Sequence, residues 1–579
     1  MTVTRWPSVR NAATGRNLFL ACWAALAWPA KMACAAPPPL PSYGISDAVR
    51  SANPPALPPD QNTRPEALPL EIDKAPEPIA LPGGDTILVR DFQLEGAPFL
   101  AQGEWSPLLE PFRNKELGMA DIEQAANLIT QLCRKRGYLV ARAYVPRQQS
   151  ADGVLRIVVV PGAYGRFELR NETAVSDALI EGTFSHARDD GNILTRGSLE
   201  RALLLAGDIP GLALPQVSLM PGQAPGTADL LITARPGPAV GGYVVGDNYG
   251  SRFTGKERLS AGLELNSPLD IGDRLSLQGL VSRGTGLMNG RLAYAFPLGA
   301  GGLRLELAAT RTLYKLGQEY ADLQATGTAN IYEATLSYPI KRTRDDSWYV
   351  SLNAAHKQLK DDVAAVSSSV GKRVRTVTLA VREEAYTSLG NMPAMFNLGA
   401  SVSTGRLSFD DAQQLAADQA GPDSSGQFSR FNAFGSATIA LAPGWTGALN
   451  LQFQQSLGKN LTGVEQMSVS GPGAIKSYPD GVVGDNAIVA GLELRRALDG
   501  GAGMEHGVSV FANYGAVRPH NGDYAGLGEV RVGDAGIGYD LSYRPVFGRM
   551  QLARTLGSQR QTEAYNHAWK LQAQLGFRF

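Results

Sequence analysis

The side chains that most often carry out chemistry in proteins are scattered along this sequence. Its five histidines show no spacing that would place two of them on one metal ion; they are His186, His356, His506, His520 and His567. The sequence contains no G-x-S-x-G elbow and no G-x-x-x-x-G-K-[S/T] phosphate loop. The carboxylates are dispersed as well. We therefore predict no enzymatic active site, no metal centre and no cofactor.

The N-terminus predicts export. Residues 1–35 resemble a secretory signal, in which arginines precede a short apolar stretch and an A-x-A cleavage site, Ala33-Cys34-Ala35. The apolar stretch is shorter than the roughly 20 residues that a transmembrane helix needs. Cys22 and Cys34 would leave with the signal. Cys133 would then be alone, in a segment with helical spacing, and we expect a buried structural thiol rather than a nucleophile.

The composition argues against a nucleic-acid partner. The 579 residues include 54 Lys+Arg and 54 Asp+Glu, so the formal net charge is zero, whereas a nucleic-acid-binding surface normally shows a basic excess. The 65 glycines and the low charged fraction of 19% suit many turns between short strands. The length indicates at least two domains.

The chain divides into segments that differ in composition and in hydrophobic periodicity. Residues 36–85 are rich in proline and predict an extended linker, in which Tyr43 to Ala52 is compatible with a short helix that could plug a pore. Residues 86–163 show a strand, a helix at Met119 to Arg136 and two further strands, which predicts a small α+β domain. Residues 164–237 repeat this pattern more loosely.

From residue 238 to 579 the helical period almost vanishes. Sixteen alternating segments can be marked there, and in the last one every second residue from Trp569 to Phe579 is apolar. One apolar and one polar face per strand is what a lipid-exposed barrel with a wet interior requires, although a soluble sandwich alternates in the same way. The number of segments and the export signal favour the barrel. The predicted fold is two small α+β domains followed by a 16-stranded antiparallel transmembrane β-barrel.

Short motifs recur in order along these segments. The first α+β domain carries Gly137, Tyr138, Tyr144, Pro146 and Gln148. The entry of the barrel carries Asp247, Asn248, Gly250, Thr254, Gly255 and Arg258. In this order and spacing the chain resembles the hemolysin-activator transporters (the ShlB, FhaC and HecB group), within the BamA superfamily. The resemblance implies that residues 86–163 and 164–237 are POTRA domains in the periplasm and that the barrel lies in the bacterial outer membrane.

The resemblance also implies that loop 6 of the barrel, near residues 461–486, folds back into the pore. In this family the loop tip usually reads Val-Arg-Gly-Tyr, and its Arg pairs with the Asp of a Phe-x-Asp motif. The corresponding residues here are Lys476, Tyr478 and Asp485 in the loop and Phe511, Asn513 and Gly515 on the partner strand. Lys and Asn replace the usual ion pair. Two alternatives follow: a Lys476–Asn513 hydrogen bond, or a loop that is anchored elsewhere.

In function, the resemblance implies a TpsB translocator of two-partner secretion. An exposed POTRA sheet edge can bind an unfolded client by strand addition, and a sixteen-stranded barrel is wide enough for an aqueous lumen. The implied partners are a large secreted TpsA-type exoprotein, outer-membrane lipid, and the periplasmic chaperones and assembly machinery that insert the barrel. An adhesin, a cytolysin, a toxin and a haem-scavenging protein are all compatible as the client, as are a monomeric and a dimeric pore.

Two other functions share parts of this plan. A BamA-like assembly factor also combines POTRA domains with a barrel, but it usually has more POTRA copies and lacks this type of proline-rich linker. A ligand-importing barrel of the TonB-dependent type needs an N-terminal plug domain, which residues 86–236 do not resemble.

Overall fold

The computed structural model describes most of the chain, namely residues 43–53, 70–72, 86–148, 152–188, 191–478, 481–501, 503–557 and 569–579. The predicted signal segment, residues 1–35, and much of the proline-rich segment lie outside the described residues. Among the described residues, no helix is both long and apolar enough to span a bilayer.

Two short elements lie within the proline-rich segment. Helix α1 (Ile45–Ser51) begins after Gly44, whose N–H donates to the Asp47 carboxylate at 3.0 Å. This carboxylate satisfies a backbone donor that the helix leaves unpaired. Strand β1 (Leu70–Ile72) follows further along the chain.

The first α+β domain has its core between one long helix and a three-stranded sheet. In chain order its elements are β2 (Ile87–Val89), β3 (Asp91–Glu95), α2 (Gln102–Leu109), β4 (Lys115–Leu117), α3 (Met119–Lys135), β5 (Arg142–Tyr144) and β6 (Val154–Val160). The sheet order is β3-β6-β5, and β2 pairs with β4. Helix α3 buries Ile122, Ala125, Ile129 and Cys133, which lie on one face at helical spacing.

Cys133 gives a testable consequence of this packing. Its side chain is fully buried in the core, and burial raises the pKa of the thiol to about 11. Only the thiolate reacts with alkylating reagents, so we expect native protein at pH 8 to be alkylated roughly 100-fold more slowly than unfolded protein, with a rate that rises toward pH 11. Mass spectrometry of the Cys133 peptide after iodoacetamide measures this. Equal rates in native and unfolded protein would contradict it.

The second α+β domain contains β7 (Ala163–Asn171), α4 (Asp177–Ser185), α5 (Arg196–Gly207), β8 (Gln216–Pro221) and β9 (Thr227–Ala234). Its sheet order is β1-β8-β9-β7, so the linker strand β1 joins the sheet as a parallel neighbour of β8. The sequence did not predict β1 or α4. Three residues are too few to show an alternation, and the buried residues of α4, Ile180, Thr183 and Phe184, cover a single turn.

The remaining strands form the barrel. In chain order they are β10 (Val240–Asp247), β11 (Arg258–Asn266), β12 (Arg274–Ser282), β13 (Leu287–Pro297), β14 (Arg304–Lys315), β15 (Ala325–Arg342), β16 (Asp346–Val363), β17 (Ser368–Leu389), β18 (Met392–Phe409), β19 (Gly426–Ala442), β20 (Trp445–Ser456), β21 (Met467–Ser468), β22 (Val483–Gly484), β23 (Asn486–Leu498), β24 (Met504–Arg518), β25 (Val530–Tyr543), β26 (Val546–Leu556) and β27 (Trp569–Arg578). Apart from the short pair β21 and β22, these sixteen strands close an antiparallel barrel, which confirms the predicted strand number. Helix α6 (Ala412–Ala420) lies between β18 and β19.

Closure depends on one short seam. Strand β10 pairs with β27 over five residue pairs, from Tyr243 opposite Arg578 to Asp247 opposite Gln574. The seam strands have 8 and 10 residues, whereas β17 has 22. The barrel wall, measured along its strands, is therefore shorter at the seam than at β17.

The second domain is fixed to one end of the barrel. The Arg342 guanidinium donates two hydrogen bonds to the Asp208 carboxylate, both at 2.8 Å. The N–H of Arg344, in the turn after β15, donates to the Glu200 carboxylate at 2.6 Å. The loops that connect β16 to β17 and β18 to β19 therefore lie at the opposite end, away from the domains.

Candidate functional site in the barrel lumen

Helix α1 lies inside the barrel. Its apolar side packs on lumen-facing residues, and the buried cluster includes Ile45 and Ala48 of the helix with Leu280, Tyr314 and Leu359 of the wall. A helix buried on an apolar side inside a wide lumen occupies space that water or a polypeptide would otherwise fill.

Polar contacts hold both ends of α1. At its start the N–H of Ile45 donates to the Asp361 carboxylate at 2.8 Å, and the Tyr314 hydroxyl donates to the same oxygen at 2.7 Å. At its end the Arg258 guanidinium donates to the carbonyl of Ser51. The helix is thus tied to β16 at one end and to β11 at the other.

Arg258 belongs to the barrel-entry motif, and the structure places it directly opposite Asp247 across β10 and β11. The guanidinium donates to both carboxylate oxygens, at 2.8 and 3.2 Å, and the two side chains are only 4% and 0% exposed. Removing one partner of such a buried pair leaves an uncompensated charge. The pair therefore holds Arg258 where it reaches α1.

The other motif residues shape the loop between β10 and β11. The Asn248 side chain extends the seam, because its amide donates to the carbonyl of Leu571 at 3.0 Å and its oxygen accepts from the N–H of Ala573 at 2.9 Å. A Cβ on Gly250 would lie 2.1 Å from the Gly255 carbonyl oxygen. Gly255 itself has a φ of +104°, which favours glycine. Thr254 is buried beside it and accepts a hydrogen bond from Ser282.

The second element in the lumen is the inward loop, residues 457–485, which joins β20 to β23 and contains β21 and β22. Its apolar residues pack on the wall strands β23, β24 and β25; the loop contributes Val469, Ala474, Ile475, Tyr478 and Val482. A Cβ on Gly515 of β24 would lie 2.9 Å from the Val469 Cβ. The loop approaches the wall so closely there that only glycine fits.

At the loop tip, the Lys476 ammonium lies 4.5 Å from the centre of the Phe511 ring. The Phe511 ring rests on β25, where a Cβ on Gly536 would lie 2.6 Å from it. Cation–π contacts of this kind strengthen as the cation loses water, and Lys476 is buried. The backbone carbonyl of Lys476 also accepts a hydrogen bond from the Gln572 amide at 3.0 Å.

The anchor of the tip is Asp534, which the sequence did not single out. Its fully buried carboxylate accepts from the N–H of Ser477 at 2.7 Å and from the Asn513 amide at 2.6 Å. Asn513 and Asp534 face each other across β24 and β25. Asn513 therefore orients the anchoring carboxylate, and the Lys476 ammonium lies over the Phe511 ring.

The base of the inward loop is held by two further carboxylates, those of Asp485 and Glu465. Asp485 accepts from the N–H of Leu461 at 2.9 Å, from the Gln466 amide at 3.0 Å and from the N–H of His520 at 2.9 Å, and so joins both ends of the loop to the next one.

Glu465, which sequence reasoning missed, is fully buried and reaches across the lumen. Its carboxylate contacts the Lys357 ammonium at 2.6 Å and the Arg430 guanidinium at 3.1 Å. Lys357 lies on β16 and Arg430 on β19. The inward loop is therefore tied to two separate regions of the wall, and no local sequence signal could have shown this, because the partners lie far apart in the chain.

The motif residues of the first domain lie outside the lumen. Gly137, with a φ of +94°, ends helix α3, and its carbonyl accepts from the N–H of Arg196 at the start of α5. Tyr138 stacks on Phe99 with 3.8 Å between ring centres. These two residues fix the packing within and between the two domains.

The remaining motif residues follow the edge strand β5. Tyr144 is exposed at the end of this strand, and Pro146 follows two residues later. The Gln148 side chain then pairs with the backbone of Arg156, at 2.8 and 3.1 Å, as another strand residue would. The N–H of Ala143, in the middle of the three-residue strand β5, donates to the Thr130 hydroxyl of α3 at 2.9 Å, so this edge is already partly occupied.

No three His, Cys, Asp or Glu side chains converge into a metal-binding group in the described part of the chain. His186, His356, His506 and His520 lie in different elements, and His567 falls outside the described residues.

Two α+β domains at one end of a closed sixteen-stranded barrel, with a helix and an inward loop in its lumen, define a POTRA-bearing outer-membrane β-barrel. Residues 87–162 match the model of the ShlB-type POTRA domain. Residues 226–541 match the family described as haemolysin secretion/activation protein ShlB/FhaC/HecB, and the chain belongs to this family. The POTRA domains therefore lie in the periplasm and the barrel in the outer membrane.

Similar proteins agree with this assignment. The chain is 26% identical to the "Heme/hemopexin transporter protein HuxB" of Haemophilus influenzae (strain 86-028NP) over 278 residues, 48% of this chain and 49% of that protein. It is 26% identical to the "Outer membrane transporter CdiB" of Escherichia coli over 214 residues, 36% of this chain and 35% of that one. The aligned region thus spans at most about half the length of these relatives.

The solved structures show the shared fold. CdiB from Escherichia coli superposes with a TM-score of 0.69 and 18% identity, covering 92% of this chain and 95% of that one. CdiB from Acinetobacter baumannii gives a TM-score of 0.60 at 15% identity, covering 90% and 94%.

Proposed function

We propose that the protein is a TpsB translocator that binds one unfolded TpsA-type exoprotein through its POTRA domains and exports it through the barrel. The observation that carries this proposal is a sixteen-stranded lumen occupied by two separate elements, α1 and the inward loop, each held by polar contacts that can be exchanged. A pore that must pass a chain but must not leak needs removable obstructions of this kind.

Strand addition is the proposed mode of client binding. Main-chain hydrogen bonds to a sheet edge grip an extended segment without requiring a folded partner. The edge of β7 in the second domain suits this role, whereas the N–H of Ala143 in β5 already donates to the Thr130 hydroxyl of α3. The edge of β8 is already occupied by β1, from Leu70 opposite Val217 to Ile72 opposite Leu219. A client strand on β8 would first have to displace the linker.

The proposed partners follow from the same plan. HuxB is named as a haem/hemopexin transporter and CdiB as an outer-membrane transporter, which supports a large secreted exoprotein, such as a haem-scavenging protein or a toxin, as the client. Outer-membrane lipid surrounds the barrel, and periplasmic chaperones with the barrel assembly machinery insert it. The net charge of zero supports the absence of a nucleic-acid partner. We assign no enzymatic step to the protein.

Secretion of a large exoprotein whose gene neighbours that of this chain, measured with and without this chain, tests the function. Loss of the exoprotein from the medium, with unchanged porin levels, is the expected result. Continued secretion together with a fall of several unrelated barrels would instead indicate an assembly factor of the BamA type.

Removing α1 tests the proposed obstruction. Deletion of residues 43–53 empties the part of the lumen that Ile45 and Ala48 fill, so we expect a several-fold rise in single-channel conductance in planar bilayers. Replacement of residues 54–64 by a Gly/Ser segment of equal length is the matched control and should leave the conductance unchanged. Equal conductance of the deletion variant, this control and the parent protein would show that α1 does not obstruct the pore.

A further inference from the structure

Two arginines face the lipid side by side on the tallest part of the barrel wall. Arg375 of β17 and Arg406 of β18 are direct cross-strand neighbours, with His356 of β16 and Gln427 of β19 on either side in the same row. Because side chains alternate along a strand, and Val374 and Leu407 beside these arginines are buried inside the barrel, both guanidinium groups point outward. We call these four residues the arginine shelf.

The shelf lies at the outer edge of the apolar band. Moving toward the POTRA domains, the next outward row contains Val377, and the row after it contains Leu352, Leu379 and Val402, which are 46%, 54% and 50% exposed. Large apolar side chains that remain exposed in this position face acyl chains. The shelf is thus at the level of the lipid head groups, at the end of the barrel that faces away from the periplasm.

The two shelf arginines have no counter-charge. Neither forms an ion pair or a hydrogen bond with another residue in the described part of the chain. The cations further out on the same strands are paired: Arg373, one row out, with Asp410 at 2.7 Å, and Lys360, two rows out, with Asp362 at 2.9 Å. Like charges directly opposite each other destabilise a sheet, and arginine is costly on the lipid face. An anion from outside the chain would offset both costs.

We propose that Arg375 and Arg406 bind a phosphate group on the head group of a phosphorylated glycolipid in the outer leaflet. The planar guanidinium fork matches phosphate oxygens in bidentate geometry. His356 and Gln427 flank the pair and can hydrogen-bond to the sugar. The acyl chains of the same molecule would pack on Val377, on Leu379 and on the other apolar residues just below, which free phosphate could not do.

Binding of purified lipopolysaccharide to the full-length protein in detergent, followed by native mass spectrometry, tests the site. We expect the phosphorylated glycolipid to bind at least tenfold more tightly than its enzymatically dephosphorylated form. The double variant Arg375→Gln/Arg406→Gln should lose this preference. Arg531→Gln is the matched control, because Arg531 also points outward from the barrel but is already paired with Glu529.

Further variants and probes separate the outcomes. Heat-modifiable mobility in gels shows whether each variant has folded, and Arg375→Lys/Arg406→Lys, which keeps the charge but not the fork, should bind with intermediate affinity. Wild-type affinity in the double glutamine variant would overturn the proposal. Equal binding of phosphatidylglycerol vesicles would overturn the assignment to a glycolipid, and arginine-dependent binding of inorganic phosphate with no preference for the lipid would replace it by a free anion.

Discussion

Replacing Asp534 by alanine is expected to release the tip of the inward loop and to lower exoprotein secretion at least tenfold. The carboxylate accepts hydrogen bonds from the N–H of Ser477 and from the Asn513 amide, and it is fully buried. A hydrogen bond to a charged group contributes about 1.5–3 kcal/mol. Loss of the Ser477 bond alone therefore shifts the population of the anchored tip by roughly 10- to 100-fold.

Limited proteolysis of the loop and the amount of exoprotein in the medium measure this effect. Asp534→Asn keeps an acceptor oxygen but loses the charge, so it should have an intermediate effect. Asp540→Ala is the matched control, because Asp540 lies on the same strand and faces the lumen but pairs with Arg495 at 2.6 Å, away from the loop. Unchanged proteolysis and unchanged secretion in Asp534→Ala would show that the tip is held by other contacts.

Replacing Glu465 by glutamine is expected to have the second large effect, at the opposite wall. Without the carboxylate charge, the Lys357 ammonium and the Arg430 guanidinium, which are 15% and 20% exposed, lose their common counter-ion. Removing one partner of a buried ion pair costs about 3–5 kcal/mol. Because both cations are partly exposed, we expect the cost of Glu465→Gln to lie at the lower end of this range. The base of the inward loop should detach from β16 and β19.

We expect this detachment to raise the frequency of open-channel events in planar bilayers severalfold and to lower the unfolding temperature. Glu319→Gln is the control, because Glu319 also forms an ion pair, with Arg252 in the loop between β10 and β11, but is 46% exposed. Exposed pairs contribute about 0–1 kcal/mol, so the control should behave like the parent protein. If the Glu465→Gln channel opened no more often than the control, the proposed role of the Glu465 ion pairs would be contradicted.

Elements with a long repeating pattern could be predicted from the sequence, and short elements could not. Helix α3 was predicted because its apolar residues from Ile122 to Leu132 repeat at helical spacing over about three turns, and the barrel was predicted because alternation persists through sixteen segments. The short elements α4 and β1 were missed, since one turn or three residues cannot show a period. The assignment of the motif residues to pore closure stays a prediction until the variants are measured.

By itself, the sequence determined the fold class and the family, because periodicity and short motifs are encoded within a few neighbouring residues. The export signal stays a prediction from the sequence. Only the tertiary structure decided what closes the lumen. Asp534 and Glu465 act through partners that lie 57 and 108 residues away in the chain, and α1 is capped by Asp361, 316 residues away. Such pairs are created by strand register and barrel closure, which bring together residues that show no relation along the chain.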